Sequence, residues 1–276
     1  MNFIDKSESA EPESLVQWKA SEDNNLQIWY QDDAQSGGDI WGKLPGDIKN
    51  DLRKTLVEDQ GFICCYCGSR IENDHHTSIE HLVPKSVEKI RTFEFENLVA
   101  SCSGGSRAKI HVVGQGENLR SIAQLFQTTE GELRALNSPS NQEKWFGRSF
   151  DFPWPKVIVQ VPMRDSLHCD SRKGDRRIEI LPTQKNCRSF FSYDKLTGRI
   201  IETEENRNTV DCLGLNANAH LIRNRLKTIN SAIALMRLMM KKPSTREDIE
   251  KAIKSYKLKK EGKFQPYFYV AISVLR

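Results

Sequence analysis

The chain has 276 residues, with 41 lysines and arginines against 37 aspartates and glutamates, which gives a formal net charge of +4. Its length suits one large domain or two smaller ones, and 28% charged with 38% hydrophobic residues excludes global disorder. The longest apolar run, at 232–240, is short and contains Arg237, which excludes a membrane span. Residues 1–14 lack the basic start and apolar run of a secretory signal, so we expect a cytoplasmic protein with no membrane partner.

The first part of the chain divides into an irregular lead and a helix. Residues 1–43 are predicted to be an N-terminal lead that is disordered over 1–14 and carries scattered aromatic side chains over 15–42. Apolar residues then recur at helical spacing and predict an amphipathic helix that ends at Gly61. These residues are Leu44, Ile48, Leu52 and Leu56, with Pro45 near the start of the helix.

Further elements follow in chain order. The segment FICCYCG predicts a short strand that enters a tight turn, and residues 77–84 and 93–102 predict two extended pieces. Residues 168–177 predict a short helix with a basic face, and the alternating aromatics of 188–203 predict a hairpin. Residues 216–242 predict a long helix, followed by another that Ser244 and Glu247 open with a capping box.

The chain contains seven cysteines, an odd number that favours thiolates and metal binding over disulfides when no export signal is present. Cys64 and Cys67 form a C-x-x-C pair, which can hold one tetrahedral metal ion from a single turn. A metal site needs a second pair, for which Cys102 and Cys169 are the candidates. The remaining cysteines are expected to lie outside the site: Cys65 pointing away from it, and Cys187 and Cys212 as buried small apolar residues.

The segment Ile79–Lys85 places a carboxylate directly before a histidine. A lone histidine in a strand is usually a hydrogen-bonded structural residue, but Glu80 precedes His81 here and Asn97 follows downstream. A neutral imidazole can take a proton from water near pH 7, and a carboxylate beside it can hold a divalent ion that neutralises charge on a phosphate. The pattern therefore favours metal-assisted hydrolysis.

These residues resemble the HNH, or ββα-metal, nuclease motif. The resemblance implies that His81 is the general base, Glu80 a ligand of the catalytic ion and Asn97 the central asparagine that steadies the loop. In the closing helix, at 169–174, Asp170 is implied as the second ligand of that ion, Mg²⁺ or another divalent ion. The family usually has Asn or His at this position. The implied fold is α+β: an HNH core with a zinc knuckle and flanking helices.

The resemblance extends over six blocks in the order seen in HNH nucleases of retron and Septu anti-phage systems, the PtuB-like type. They are LRKTLVEDQGFICCYCG, IEHLVPKS, NLVASCSGG, HCDSRKGD, FFSYDKLTGRI and VDCLGLNANAHLIRNR. The core would then comprise 44–107 and 165–230, followed by a C-terminal helical region at 231–276. The family also implies a structural zinc ion on Cys64, Cys67, Cys102 and Cys169, a PtuA-like ATPase as partner, and a retron reverse transcriptase complex as a further candidate partner.

Residues 108–164 differ in sequence pattern from the segments on either side and separate Cys102 from Cys169. The phrases VxxGENLxSIAxxF and ELxxLN resemble a LysM domain, which implies a small βααβ insert. The net charge of the insert is close to zero, so it is not a basic arm. Its ligand is open: glycan binding, a docking role and a surface insertion without a ligand are the three alternatives.

Basic residues flank the histidine segment and the closing helix. We expect four of them to contact nucleic-acid phosphates: Lys85, Arg91, Arg172 and Lys173. No feature of the sequence indicates base reading. The sequence thus predicts a metal-dependent HNH endonuclease acting on DNA, with RNA as the alternative substrate. A non-catalytic zinc and LysM adaptor is the hypothesis from another class.

Overall fold

A computed structural model describes residues 1–104, 106–126, 129–139, 142–143, 149–151, 153–162, 167–240 and 246–276. The chain divides into two compact units: Met1–Gly104 together with His168–Arg276 form the first, and Gly105–Leu167 form the second. Both contain helices and small two-stranded sheets, so the α+β class is confirmed. Among the described helices, none is long and apolar enough to cross a membrane.

The N-terminal part of the first unit is ordered, so the prediction of a disordered lead was wrong. Three short helices follow a 3₁₀ turn at Lys6–Glu8: α1 (Glu13–Ala20), α2 (Leu26–Gln31) and α3 (Gly37–Gly42). Met1, Ile4 and Leu15 are at most 5% exposed, and the Ile4 amide donates to the Pro182 carbonyl. The partners of these apolar residues lie far along the chain, so no local periodicity marks them.

Helix α4 (Gly46–Asp59) covers the central hairpin of the first unit. It begins after Pro45 and buries Leu52 and Leu56, as the helical spacing predicts. It packs on β1 (Thr77–His81) and β2 (Leu98–Cys102), which pair antiparallel with His81 opposite Leu98. The strand predicted before the cysteines is reduced to one isolated bridge, between Ile63 and Arg70, because the cysteine turn reverses the chain at once.

The remainder of the first unit begins with a short helix and a hairpin. These elements are α7 (Cys169–Lys173), β5 (Ser192–Tyr193) and β6 (Ile200–Ile201), numbered after the second unit. Four helices follow: α8 (Glu204–Cys212), α9 (Ala219–Met240), α10 (Arg246–Lys257) and α11 (Phe268–Leu275). The predicted hairpin and long helix are confirmed, whereas Ser244 of the predicted capping box lies outside the described residues. Helix α11 is buried along almost its whole length and packs on α9.

The second unit has the order β–α–α–β, as the sequence predicts. Its elements are β3 (Ser106–Val112), α5 (Leu119–Leu125), α6 (Glu130–Leu136) and β4 (Lys156–Pro162). The strands pair antiparallel from Ser106 opposite Pro162, so the two ends of the unit lie side by side. Apolar residues of both helices and of β4, among them Ile122, Leu133 and Val159, form a small separate core.

Candidate metal centre and active site

Four thiols of the first unit converge on one point. The sulfurs of Cys64 and Cys169 are 3.8 Å apart, those of Cys67 and Cys102 are 3.7 Å apart, and all four lie within 4.8 Å of one another. With zinc–sulfur bonds of about 2.3 Å, a regular tetrahedron has sulfur–sulfur edges of about 3.8 Å. The cluster therefore has the donors and the dimensions to hold one tetrahedral metal ion, and it joins the four cysteines that the sequence predicts.

Cys64 and Cys67 lie in a tight turn, the knuckle (residues 64–69). Tyr267 and Tyr269, from the C-terminal part of the chain, pack against this turn. The Gly68 amide donates to the Cys64 carbonyl, and Gly68 has φ +80°. A Cβ there would lie 2.5 Å from the Tyr269 hydroxyl oxygen, so only glycine fits. Tyr267 contacts the same turn, with its hydroxyl 2.7 Å from the Ser69 hydroxyl and its amide donating to the Gly68 carbonyl.

The other two cysteines come from the end of β2 and the first residue of α7. The Cys102 amide donates to the Cys64 sulfur over 3.3 Å, which stabilises a thiolate at that position. Cys65 is buried outside the cluster, and its amide donates to the Ala100 carbonyl. Cys187 and Cys212 are also buried away from the cluster. The cluster links three segments that are distant in sequence.

A second group of polar side chains lines a cavity of about 120 Å³ where the end of β1 meets α7. Its charged and titratable lining residues are Glu80, His81, Lys85, Asp170, Lys173 and Asp175. The structure therefore brings three of the four predicted catalytic residues to one cavity. Asn97 is not among the lining residues.

A hydrogen bond to the backbone holds His81 in one tautomer. Its Nε2 lies 3.0 Å from the carbonyl oxygen of Thr92. A carbonyl can only accept, so Nε2 carries the hydrogen and Nδ1 keeps a free lone pair. Burial, with a smaller contribution from the charge of Lys85, lowers the pKa of His81 to about 4. The imidazole is neutral at pH 7, which is the state a general base requires.

Glu80 is paired with a buried lysine. The Lys173 Nζ lies 2.6 Å from Glu80 Oε1 and donates to the His81 carbonyl over 2.9 Å, and the Lys173 side chain is 1% exposed. The prediction that Lys173 contacts nucleic acid is therefore wrong, since its ammonium holds Glu80 inside the protein. Lys173 follows Asp170 by three positions on α7, so the helical spacing already indicates that both face the same side.

The two carboxylates can supply oxygen ligands to a divalent ion. Burial, together with the hydrogen bond and charge of Asp170, raises the pKa of Glu80 to about 8, although Lys173 opposes the rise. A cation between two crowded carboxylates relieves their repulsion, and Mg²⁺ commonly binds one or two protein carboxylates together with water and phosphate. Within the described residues, the four cysteines are the one group of three or more His, Cys, Asp or Glu side chains whose ligand atoms all lie within 4.8 Å of one another.

Asn97 organises the loop that follows His81. It is fully buried, its Oδ1 accepts from the Val83 amide over 2.8 Å, and its Nδ2 donates to the carbonyls of Val83 and Arg91. The loop from Val83 to Arg91 leads directly to Thr92, whose carbonyl holds His81. Asn97 therefore acts on the histidine through the backbone.

The remaining basic residues that the sequence singles out differ in their surroundings. Lys85 lines the cavity and has no ion pair with any residue that the structure describes. Arg91 is bonded to Glu94 over 2.6 Å, and Arg172 to the Asp211 carboxylate over 3.0 Å. Lys85 is therefore the best placed of the predicted cations to meet a phosphate at this cavity.

Comparisons with known proteins give two matches. A family model of the LysM domain matches residues 111–143. The chain is also 21% identical over 212 residues to the "Retron Ec83 putative HNH endonuclease" of Escherichia coli. That match covers 75% of this chain and 64% of the relative, so it spans less than two thirds of the relative's length. The first match identifies a LysM-like region within the chain, and the second shows a distant relationship to a protein named as an HNH endonuclease.

Proposed function

We propose that this protein is a metal-dependent HNH endonuclease that hydrolyses phosphodiester bonds of nucleic acid, with DNA as its substrate. The observation that carries the proposal is one cavity in which neutral His81, with a free Nδ1, lies beside the carboxylates of Glu80 and Asp170. The distant relationship to a retron HNH endonuclease supports the same chemistry.

His81 acts as the general base in this proposal. Its Nδ1 takes a proton from the attacking water, while Nε2 keeps its hydrogen bond to the Thr92 carbonyl. That carbonyl accepts from the neutral ring and stabilises the positive charge that forms when Nδ1 is protonated. Asn97 keeps the carbonyl in place through its bonds to the preceding loop.

Glu80 and Asp170 are the ligands proposed for the catalytic ion. When bound, a divalent ion such as Mg²⁺ neutralises charge on the scissile phosphate and stabilises the leaving oxygen. Lys173 fixes the position of Glu80 with its 2.6 Å contact. Lys85, at the same cavity, contributes a cation for the phosphate backbone.

The four cysteines are proposed to hold a structural zinc ion. A Cys₄ set with four protein ligands has no open coordination position, so the ion stabilises the fold and does not take part in the reaction. It fixes α7 against β2, and α7 carries Asp170 and Lys173. The zinc site thereby sets the geometry of the catalytic cavity.

The biological setting is proposed from the resemblance and from the printed name of the retron relative. We infer a cytoplasmic role in anti-phage defence of the retron or Septu (PtuB-like) type, with a PtuA-like ATPase or a retron reverse transcriptase complex as partner. The core at 44–107 and 165–230 would carry the chemistry. The LysM-like insert at 108–164 would serve docking.

Cleavage assays with the purified full-length chain test the proposed function. A supercoiled plasmid and a structured RNA are incubated with and without added Mg²⁺, omitting chelators so that the cysteine site stays loaded. His81→Ala is expected to cleave DNA at least ~100-fold more slowly, the low end for loss of a positioned general base. The exposed His220 provides the matched control, His220→Ala, which should keep wild-type activity.

The outcomes separate the alternatives. Undiminished cleavage by a folded His81→Ala protein would refute the proposed base. Cleavage of RNA alone would replace DNA by RNA as the substrate. A folded, zinc-loaded wild type that cleaves neither nucleic acid would favour the adaptor hypothesis.

A further inference from the structure

An aromatic layer from the N-terminal lead backs His81. Trp41, in the last turn of α3, meets the imidazole edge to face, with ring centroids 4.9 Å apart and an interplanar angle of 85°. Trp41 also stacks on Phe93, at 5.9 Å and 27°, and Trp18 meets Phe93 edge to face at 4.9 Å. Phe93 directly follows Thr92, so the layer contacts both the histidine and the segment that bonds it.

The same part of the chain holds the loop after His81. Gly37 packs so closely on this loop that a Cβ would lie 2.1 Å from the Lys85 carbonyl oxygen. Further along the loop, the Lys89 Nζ donates to the Asp32 carbonyl over 2.8 Å. Residues 32–41, which we call the clamp segment, thus contact the loop near its start and near its end.

We propose that Trp41 is a positioning residue for His81 and that the clamp segment, which carries Trp41, holds the loop after His81 in place at the nuclease site. This inference rests on the proposed function. The hydrogen bond to Thr92 fixes the position of Nε2 but leaves the imidazole ring free to rotate about that atom. The Trp41 ring blocks this rotation on one side. Nδ1 then keeps a single direction towards the water it deprotonates, and small misplacements of a catalytic group are costly.

Trp41 is itself held on more than one side. Phe93 stacks on its ring, and the Lys49 ammonium lies 5.3 Å from its ring centroid. Trp41 is absent from the lining of the catalytic cavity, so it reaches the reaction through His81 and does not touch the substrate there. Its removal should therefore change turnover far more than substrate affinity.

Kinetics of three variants provide the first test. Trp41→Ala should lower kcat on plasmid DNA in Mg²⁺ about 10- to 100-fold, with KM within about twofold of wild type. Trp41→Phe keeps an aromatic face and should recover most of kcat. Trp29→Ala is the matched control, because Trp29 contacts Trp18 and Lys43 but not His81, and it should leave kcat unchanged. If Trp41→Ala does not fold, Trp41→Leu takes its place.

A spectroscopic readout separates positioning from a merely structural role. The ¹⁵N shifts of the His81 ring at pH 8, assigned by their loss in His81→Ala, should show the Nε2–H tautomer in wild type and in Trp29→Ala. Trp41→Ala should average these shifts between tautomers, because rotation of the unsupported ring breaks the bond from Nε2 to the Thr92 carbonyl. Wild-type kcat in Trp41→Ala, or a loss of kcat with unchanged His81 shifts, would overturn the inference. Averaged shifts with an inactive wild type would refute the nuclease and still support the hold of Trp41 on His81.

Discussion

The amide of His168 donates a hydrogen bond to the carbonyl oxygen of Gly104 over 2.9 Å, although residues 105–167 lie between them in the chain. Gly104 has φ +79°, and a Cβ there would lie 1.6 Å from the His168 carbonyl oxygen. The two strands that lead away from this point are paired, with Ser106 opposite Pro162. The chain therefore leaves and re-enters the first unit at one place, between Cys102 and Cys169 of the four-cysteine cluster.

Excision of the second unit should leave the first intact. Replacement of residues 105–167 by a short Gly/Ser bridge keeps the neighbouring Cys102 and Cys169 in place, because their separation is already closed by the Gly104–His168 bond. We expect a soluble protein that binds one zinc ion and retains cleavage activity in vitro. Metal analysis and plasmid cleavage measure this, and an insoluble or zinc-free product would show that the second unit belongs to the core.

Loss of one thiol from the metal centre should unfold the region around it. Cys67→Ala removes a ligand, and since metal binding at such sites contributes folding free energy, we expect loss of zinc and a markedly lower melting temperature. Cys212→Ala removes a buried cysteine outside the cluster and should keep the zinc. Zinc stoichiometry and thermal unfolding are the measurements. A stable, soluble Cys67→Ala protein would argue against the structural site.

Asn97→Ala should weaken both stability and turnover. The side chain makes three hydrogen bonds to the loop backbone, and at about 1 kcal/mol each their loss lowers the free energy of unfolding by about 3 kcal/mol. The Thr92 carbonyl loses its support, so kcat should fall by about tenfold or more. Asn73 is exposed, and Asn73→Ala should stay within about 0.5 kcal/mol of wild type in denaturant unfolding. Equal stability of the two variants would contradict the bracing role.

Salt dependence should distinguish Lys85 from Arg172. In a His81→Ala background that leaves DNA uncut, Lys85→Ala is expected to weaken DNA binding and to reduce the slope of log K against log salt by about 0.9, one phosphate contact. Arg172→Ala should change the slope less, because Asp211 already holds that guanidinium. Fluorescence anisotropy over a salt series measures both. A larger effect at Arg172 than at Lys85 would place the DNA elsewhere.

Those parts of the site that the sequence predicts are set by short spacings. Glu80 and His81 are neighbours on one strand, and the Cys64–Cys67 pair lies in one turn, so their proximity follows from local geometry. Helix α4 was predictable because its buried face repeats at helical spacing. The pairing of Cys102 with Cys169 required one further step, the recognition of an inserted unit between them.

The parts that the sequence did not predict depend on contacts between distant segments. Trp41 lies 40 positions from His81, and the polar sequence around Trp41 does not indicate that its ring packs on the imidazole. Residues 1–14 were predicted to be disordered, although Met1 and Ile4 are buried. The sequence did not indicate this burial because the residues that pack on them lie far along the chain. Lys173 was predicted to contact phosphates because basic residues flank the histidine segment and the closing helix, whereas its ammonium is buried in an ion pair with Glu80.

The bond between Ser69 and Tyr267 has a consequence for the order of folding during synthesis. A ribosome that has just completed α9 has already made every cysteine of the metal centre, but Tyr267 is still to come. The nascent chain can thus bring the four cysteines together early, while the knuckle still lacks its contact with Tyr267. The cysteine turn can therefore gain its full support only after Tyr267 and α11 have been made.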